Sequence, residues 1–184
     1  MQSPSKYNQS SCPIYLDASV VINLLAGDCL GDLAAALGCE VRLEETVLGE
    51  VGYHPKTKIP ARPIIEEFAR SGALRIVSMS EKETAEFVRL VSAGEPDDLD
   101  DGEAATLACA AEGCCAAVDE RKGRRIAARD HPNVRVFTTL DLIFSPPFVA
   151  HVGIARTWQV ARDASVVGRM RIPPEWRDFV KSKV

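Results

Sequence analysis

The fold is decided by one stretch near the start of the chain, which reads Ile14-Tyr15-Leu16-Asp17-Ala18-Ser19-Val20-Val21-Ile22-Asn23-Leu24-Leu25. A short apolar run ends in an aspartate, and an apolar pattern of helical spacing begins directly after it. In an α/β fold, this arrangement presents a carboxylate at the carboxyl end of a parallel strand, where ligands bind. The alternative role for Asp17 is that of a helix cap, because aspartate is a good N-cap residue.

The rest of the chain alternates in the same way between short apolar strands and amphipathic helices. Further strands are predicted at residues 40–44, 74–77, 115–118 and 134–137, with helical patterns between them. Strands that alternate with helices over short connections favour a parallel sheet covered by helices. We therefore predict an α/β fold, specifically a three-layer α/β/α sandwich with a central, mainly parallel sheet.

Local patterns predict how two of the helices begin. Thr46 is expected to cap a helix from Val47 to about Tyr53, and the adjacent Glu44 and Glu45 are expected to be solvated charges near the strand end. Ser80 with Glu83 three residues later is a capping-box pattern.

The chain length of 184 residues fits a single domain. We expect residues 1–12 to be a disordered lead-in, residues 13–144 to form the main domain, and residues 145–184 to form a helical extension packed on it. The sequence contains no run of about 18 apolar residues that would span a membrane, and its start lacks the apolar core of a signal peptide. These features predict a cytoplasmic protein with no membrane partner.

The net charge of −4 hides a strong asymmetry along the chain. Residues 1–120 carry 9 Lys and Arg against 21 Asp and Glu, whereas residues 121–184 carry 13 against 5. An acidic part can gather metal ions and a basic part can bind phosphates, so the asymmetry is compatible with a protein that acts on nucleic acid.

Four carboxylates stand where the pattern points toward the interior. Asp17 and Asp119 follow predicted strands, while Glu50 and Glu103 lie in predicted helices beside apolar residues. Carboxylates that converge in one crevice repel each other unless a cation neutralises them. Oxygen ligands of this kind suit Mg²⁺ or Mn²⁺. The chemistry that follows is metal-assisted hydrolysis of a phosphodiester.

Each of these acids also has an ordinary structural alternative. Glu50 could be a surface residue of its helix, and Glu103 a first-turn glutamate favoured by the helix dipole. Asp119 could form a turn with Glu120. The specificity of the pattern lies in the four acids together and in their order along the chain.

That order resembles the PIN-domain proteins, a nuclease family that includes the VapC-type toxins. The resemblance rests on four short motifs and covers about residues 13–144. The motifs are Tyr15–Leu25, Val47–Val51, Gly102–Ala108 and Val118–Ala127.

The resemblance implies a Mg²⁺- or Mn²⁺-dependent endoribonuclease with an α/β/α fold. It assigns both catalysis and metal binding to the four acids Asp17, Glu50, Glu103 and Asp119. Polar residues in supporting positions are Ser19, Asn23 and Thr139. The third acidic position departs from the commoner toxin pattern, because a glutamate stands where an aspartate is more usual; Asp100 and Asp101 are close enough in sequence to take its place.

A basic segment follows Asp119 directly and is a candidate RNA-binding surface. Its cationic residues are Arg121, Lys122, Arg124 and Arg125. The alternative is a solvated helix face, which is the more frequent role of a charge run. The partners that the resemblance implies are an RNA substrate, an antitoxin protein and a second copy of the chain in a homodimer.

Two other classes place aspartates at strand ends, and neither fits. A phosphoacceptor receiver domain requires an acidic pair after the first strand and a lysine after a late one, and a haloacid-dehalogenase-type phosphatase requires a second aspartate where Ser19 stands. The remaining alternative to an active nuclease is a catalytically weak or inactive PIN-like scaffold that binds RNA or a protein partner.

Overall fold

The structure is a computed structural model that describes residues 3–7 and 12–182. Its centre is a sheet of five strands, which are β1 (Ile14–Leu16), β2 (Val41–Glu44), β3 (Arg75–Val77), β4 (Cys115–Ala117) and β5 (Arg135–Phe137). All pairs are parallel, and the strands lie in the order β3-β2-β1-β4-β5. The predicted parallel sheet is confirmed.

Helices cover both faces of the sheet, which confirms the predicted α/β/α sandwich. Those that connect the strands are α1 (Ala18–Ala26), α2 (Leu30–Leu37), α3 (Glu45–Glu50), α4 (Ala61–Arg70), α5 (Glu81–Val91), α6 (Asp101–Ala110) and α7 (Arg121–Asp130). Those after β5 are α8 (Thr139–Ile143), α9 (Pro146–Val152), α10 (Ile154–Val166), a 3-10 turn (Pro174–Trp176) and α11 (Arg177–Lys181).

Two hydrophobic cores lie on the two faces of the sheet, because successive side chains of a strand point to opposite sides. In β1, Ile14 and Leu16 join the larger core, whereas Tyr15 joins the smaller one. The alternation repeats in β4, where Ala117 faces the larger core and Ala116 the smaller. Both faces of the central strands are therefore buried, which explains their continuous apolar sequences.

The chain order fixes where a ligand can bind. From β1 the chain proceeds outward through β2 to β3, and it then returns to the other side of β1 to form β4 and β5. The strand order therefore reverses between β1 and β4, and crevices form at the carboxyl ends of strands at such a point. Asp17 follows β1 and Asp119 closely follows β4, so both lie at this crevice.

Helix α6 can approach the sheet closely because its residues are small. All positions from Gly102 to Ala110 are buried, and six of these nine are Ala, Gly or Cys. The helix packs on β1, β2, β4 and α5. Its N-terminal end, which carries Glu103, is thereby placed beside the carboxyl ends of the central strands.

Helix α3 differs from the sequence prediction in its bounds and its cap. We predicted a helix from Val47 to about Tyr53 with Thr46 as its cap, but the helix spans Glu45–Glu50 and is capped by Glu44. The Glu44 carboxylate accepts a hydrogen bond of 2.6 Å from the Thr46 backbone N–H. The prediction that Glu44 is a solvated charge is therefore wrong, since capping holds it buried at the end of β2.

The predicted disordered lead-in, residues 1–12, falls partly outside the described residues, which omit 1–2 and 8–11. Residues 3–7 pack against the domain. The Ser5 hydroxyl donates to the Asp141 carbonyl at 2.6 Å, and the buried Tyr7 ring lies 5.2 Å from that of Phe137. The sequence did not predict these contacts, which join residues more than 100 positions apart.

The residues after α8 are helical and pack on the domain. Helix α10 lies against α1, α8 and α9, and Trp176 is fully buried beside Phe144 and Phe179. Within the described part of the chain, no single helix is long and apolar enough to cross a membrane; only α1 and α2 taken together reach that length, as a pair bent by 109°.

Candidate active site

Asp17 is buried at the start of α1, where it serves as the helix cap. Its carboxylate accepts hydrogen bonds from the backbone N–H and the hydroxyl of Ser19. Burial raises the pKa of Asp17 to about 6, against the opposing effect of these hydrogen bonds, and the nearby charge of Asp100 raises it further. The capping role proposed as the structural alternative is therefore real. Capping alone does not explain why this buried carboxylate lies near the negative charges of other acids.

Asp119 is held by Asn23 and Thr139, two of the three polar residues that the resemblance assigned to supporting roles. One carboxylate oxygen accepts from the Thr139 backbone N–H at 2.8 Å. The other accepts from the Thr139 hydroxyl at 2.6 Å and from the Asn23 amide at 2.7 Å. Burial raises the pKa of Asp119, and these hydrogen bonds oppose the rise. Three donors therefore fix the carboxylate in one orientation across the β1–β4 crevice.

Glu103 is buried close to other negative charges. Its side chain is 2% exposed, and its Oε1 accepts no hydrogen bond from any described residue. The pKa of Glu103 is raised to about 8, mainly by burial and in addition by the charges of Asp100 and Asp17. A buried carboxylate without a partner costs folding free energy, so such a group in a crevice marks a candidate functional site.

Glu50 reaches the same place from the exposed edge of the site. Its Oε1 accepts a hydrogen bond of 2.7 Å from the Gly102 backbone N–H, in the first turn of α6. A side chain at position 102 would collide with this carboxylate, because a Cβ there would lie 2.2 Å from Glu50 Oε2. Glycine at 102 therefore lets Glu50 approach the positive end of the α6 dipole.

Asp100 joins the four predicted acids. It caps α6 by accepting from the Glu103 backbone N–H at 3.1 Å. Its charge raises the pKa of Asp17, Glu50 and Glu103, so it lies near all three. The sequence named Asp100 only as an alternative to Glu103, whereas the structure places both at the site. The capping position three residues before Glu103 was the signal that would have paired them.

The donor set fits a hard divalent cation. All the candidate groups are carboxylates, and the unpaired Glu103 Oε1 is a buried oxygen that a cation would satisfy. In the described part of the chain, no group of three or more acidic, histidine or cysteine side chains is arranged so that it could already hold a metal ion. Mg²⁺ does not require one, since it usually keeps several waters and binds through one or two carboxylates.

The predicted RNA-binding segment divides into two parts in the structure. Arg125 pairs with Asp97 at 2.8 Å, and Lys122 lies 4.0 Å from Asp98, so the charges of both are partly compensated. Arg121 and Arg124 instead line a cleft of about 360 Å³ that also reaches Asn23 and Asp119. The other cations of this cleft come from the tail, and none of them was predicted to bind RNA. They are Arg169, Arg171 and Arg177.

The order of the acidic residues along the chain agrees with a known protein family. A model described as a PIN domain matches residues 13–145. The chain belongs to the PIN-domain family. All four predicted acids of this PIN domain lie within the matched residues, and α9 to α11 lie beyond them. Searches of the curated proteins and of the solved structures found no significant match.

Proposed function

We propose that this PIN domain is a metal-dependent endoribonuclease that hydrolyses RNA phosphodiester bonds. One observation carries the proposal. A buried glutamate with one unpaired carboxylate oxygen, Glu103, lies near the charges of Asp17 and Asp100 at the crevice where the strand order reverses. Such a concentration of negative charge is costly in the free protein and becomes favourable when a cation binds.

The burial and hydrogen bonds of each acidic residue indicate its role in the site. Asp17, held by Ser19, and Glu103, held in the first turn of α6, are the inner ligands, because both are buried. Glu50 approaches from the exposed edge. Asp119 has its orientation set by Thr139 and Asn23 and faces the cleft where substrate would enter. A bound Mg²⁺ or Mn²⁺ would supply an activated water and neutralise charge that develops on the phosphate.

The experiment that tests the proposal is cleavage of an end-labelled pool of mixed single-stranded RNA by the full chain. Parallel reactions contain Mn²⁺, Mg²⁺ or EDTA, and one EDTA reaction later receives excess Mn²⁺. We expect cleavage with either metal, none in EDTA, and recovery after Mn²⁺ is added. The absence of cleavage in EDTA excludes the common contaminating ribonucleases that need no metal, and recovery shows that EDTA acted by removing the metal.

Two results would contradict the proposal. Equal cleavage in EDTA and in Mn²⁺ would show that the activity does not use the carboxylates as a metal site. Absence of cleavage under every condition, by protein with a cooperative thermal transition, would favour the inactive scaffold. A toxin role with an antitoxin partner stays a prediction from the family resemblance.

A further inference from the structure

The cleft beside Asp119 is unlike the rest of the surface in its balance of charge. Its lining contains five arginines and two acids, Asp119 and Glu120. The arginines come from two separate parts of the chain, the start of α7 and the tail after α10. They are Arg121, Arg124, Arg169, Arg171 and Arg177.

Most of these cations have no acidic partner. Among the described residues, Arg124 donates to the Asp119 backbone carbonyl and lies 4.0 Å from Glu175, but no ion pair involves the other four. The basic residues just outside the cleft behave differently, because Arg125 and Arg129 are both tied to Asp97. Positive charge is thus compensated on the outer face of α7 and left available inside the cleft.

The tail is brought to this position by a specific turn. A Cβ on Gly168 would lie 2.4 Å from Asn23 Oδ1 and 2.6 Å from the Ala164 carbonyl oxygen, so only glycine allows the chain to pass so close to α1. The next residue, Arg169, has φ of +62°, which is costly for a residue with a side chain. With this conformation, Arg169 lines the same cleft as Asn23, the asparagine that orients Asp119.

The cleft also has a size and an apolar part that suit a nucleotide. Its volume of about 360 Å³ lies within the range of small-molecule pockets, whose lower limit is about 300 Å³. Between the arginines lie the side chains of Ile22, Met170, Ile172, Pro173 and Pro174. A bare inorganic anion would leave this apolar surface without a contact, whereas a sugar and base would cover it.

We propose that this cleft binds one nucleotide of a single-stranded RNA through its phosphate, and that the tail after α10 supplies most of the binding charge. The inference rests on the proposed function for its choice of RNA. It adds that substrate binding depends on residues outside the part of the chain that defines the family, namely Arg169, Arg171 and Arg177. The arginines would hold the strand next to the acids without taking part in the chemistry.

The test is binding of a fluorescently labelled RNA decamer in EDTA, followed by anisotropy over a range of salt concentrations. The variant is Arg171→Ala/Arg177→Ala. The matched control is Arg162→Ala/Lys181→Ala, which removes two exposed cations outside the cleft, one in α10 and one at the end of α11. Circular dichroism checks that both remain folded. We expect the cleft variant to bind at least about tenfold more weakly, because it lacks two cations that would neutralise the phosphate.

The salt dependence gives a second readout. Each phosphate that is neutralised on a single strand contributes about 0.7 to the slope of log affinity against log salt. Because the cleft holds one phosphate, the cleft variant should lose about 0.7 from the slope and the control much less. Equal losses in the two variants, or no RNA binding by the wild type, would overturn the proposal. Because EDTA prevents metal-dependent cleavage, binding that is lost only in the cleft variant supports the site even if the nuclease assay fails.

Discussion

Asp17→Asn is expected to lower the rate of metal-dependent RNA cleavage at least about 100-fold, because altering even the second-shell partners of a metal ligand typically costs about 10–100-fold. The substitution removes one negative charge from a buried carboxyl whose pKa is raised to about 6. It keeps the size and shape of the side chain. The amide oxygen can still accept from Ser19, whose backbone N–H and hydroxyl donate to this residue.

This change separates the two roles of Asp17. Asparagine and aspartate are about equally good N-cap residues, so the cap of α1 should survive the substitution. The measurement is the initial rate in Mn²⁺ on an end-labelled RNA, with the unfolding temperature recorded for the same preparation. A matched control is Asp32→Asn, on α2, which makes the same chemical change outside the candidate site. Cleavage that persists in Asp17→Asn would mean that the activity arises elsewhere.

Trp176→Ala is expected to lower the free energy of unfolding by about 3–5 kcal/mol, the usual cost of truncating a buried large aromatic residue. The Trp176 side chain is 0% exposed, and its ring lies 5.3 Å from Phe144 and 5.5 Å from Phe179. It therefore fixes the end of the tail to the residues that follow β5. Guanidinium unfolding followed by circular dichroism measures the loss.

The control for this prediction is Trp176→Phe, which keeps an apolar ring and should cost clearly less. A small effect is expected from the indole N–H itself, because it has no hydrogen-bond partner among the described residues. A loss below about 1 kcal/mol for Trp176→Ala would indicate a tail that is only loosely docked. Such a tail could not hold Arg169, Arg171 and Arg177 in place, so RNA binding would then have to depend on other cations.

The sequence predicted the features that repeat over short distances. Asp17 and Asp119 could be placed because each stands between a short apolar strand and a helical pattern. The carboxyl ends of parallel strands meet at one edge of the sheet, so the two acids were expected there. The Ser80 capping box was likewise predicted and is present in the structure, since its residues are only three apart. Local patterns of this kind specify elements and the ends at which side chains emerge.

Contacts between distant parts of the chain could not be predicted in this way. Nothing in the sequence around Gly168 indicates that it contacts Asn23. A close approach between a backbone and a distant side chain leaves no repeating pattern in the sequence. Glu44 looked like a solvated charge because two adjacent glutamates usually are, yet capping buries it. Asp100 was underestimated for a related reason: its charge acts not only on Glu103 in the helix that it caps but also on Asp17 and Glu50, which belong to other elements.

Free energy of unfolding should also respond to pH through Glu103. Its pKa of about 8 in the folded protein lies well above its ordinary value of 4.5. The folded state therefore binds a proton more tightly than the unfolded state, and the metal-free protein should lose stability as pH rises from about 4.5 to about 8. Glu103→Gln cannot ionise, so it should be more stable than the wild type at pH 8 without metal.

The most direct test of the metal site is the change in unfolding temperature caused by Mn²⁺ at pH 8, measured for the wild type and Glu103→Gln. We predict that Mn²⁺ at about 100 times its Kd raises the wild-type unfolding temperature by about 5–10 °C, since binding adds about 2.7 kcal/mol to a domain of this size. The variant should start from a higher temperature and gain much less. An equal gain in both proteins, or no gain in the wild type, would contradict a metal site at these carboxylates.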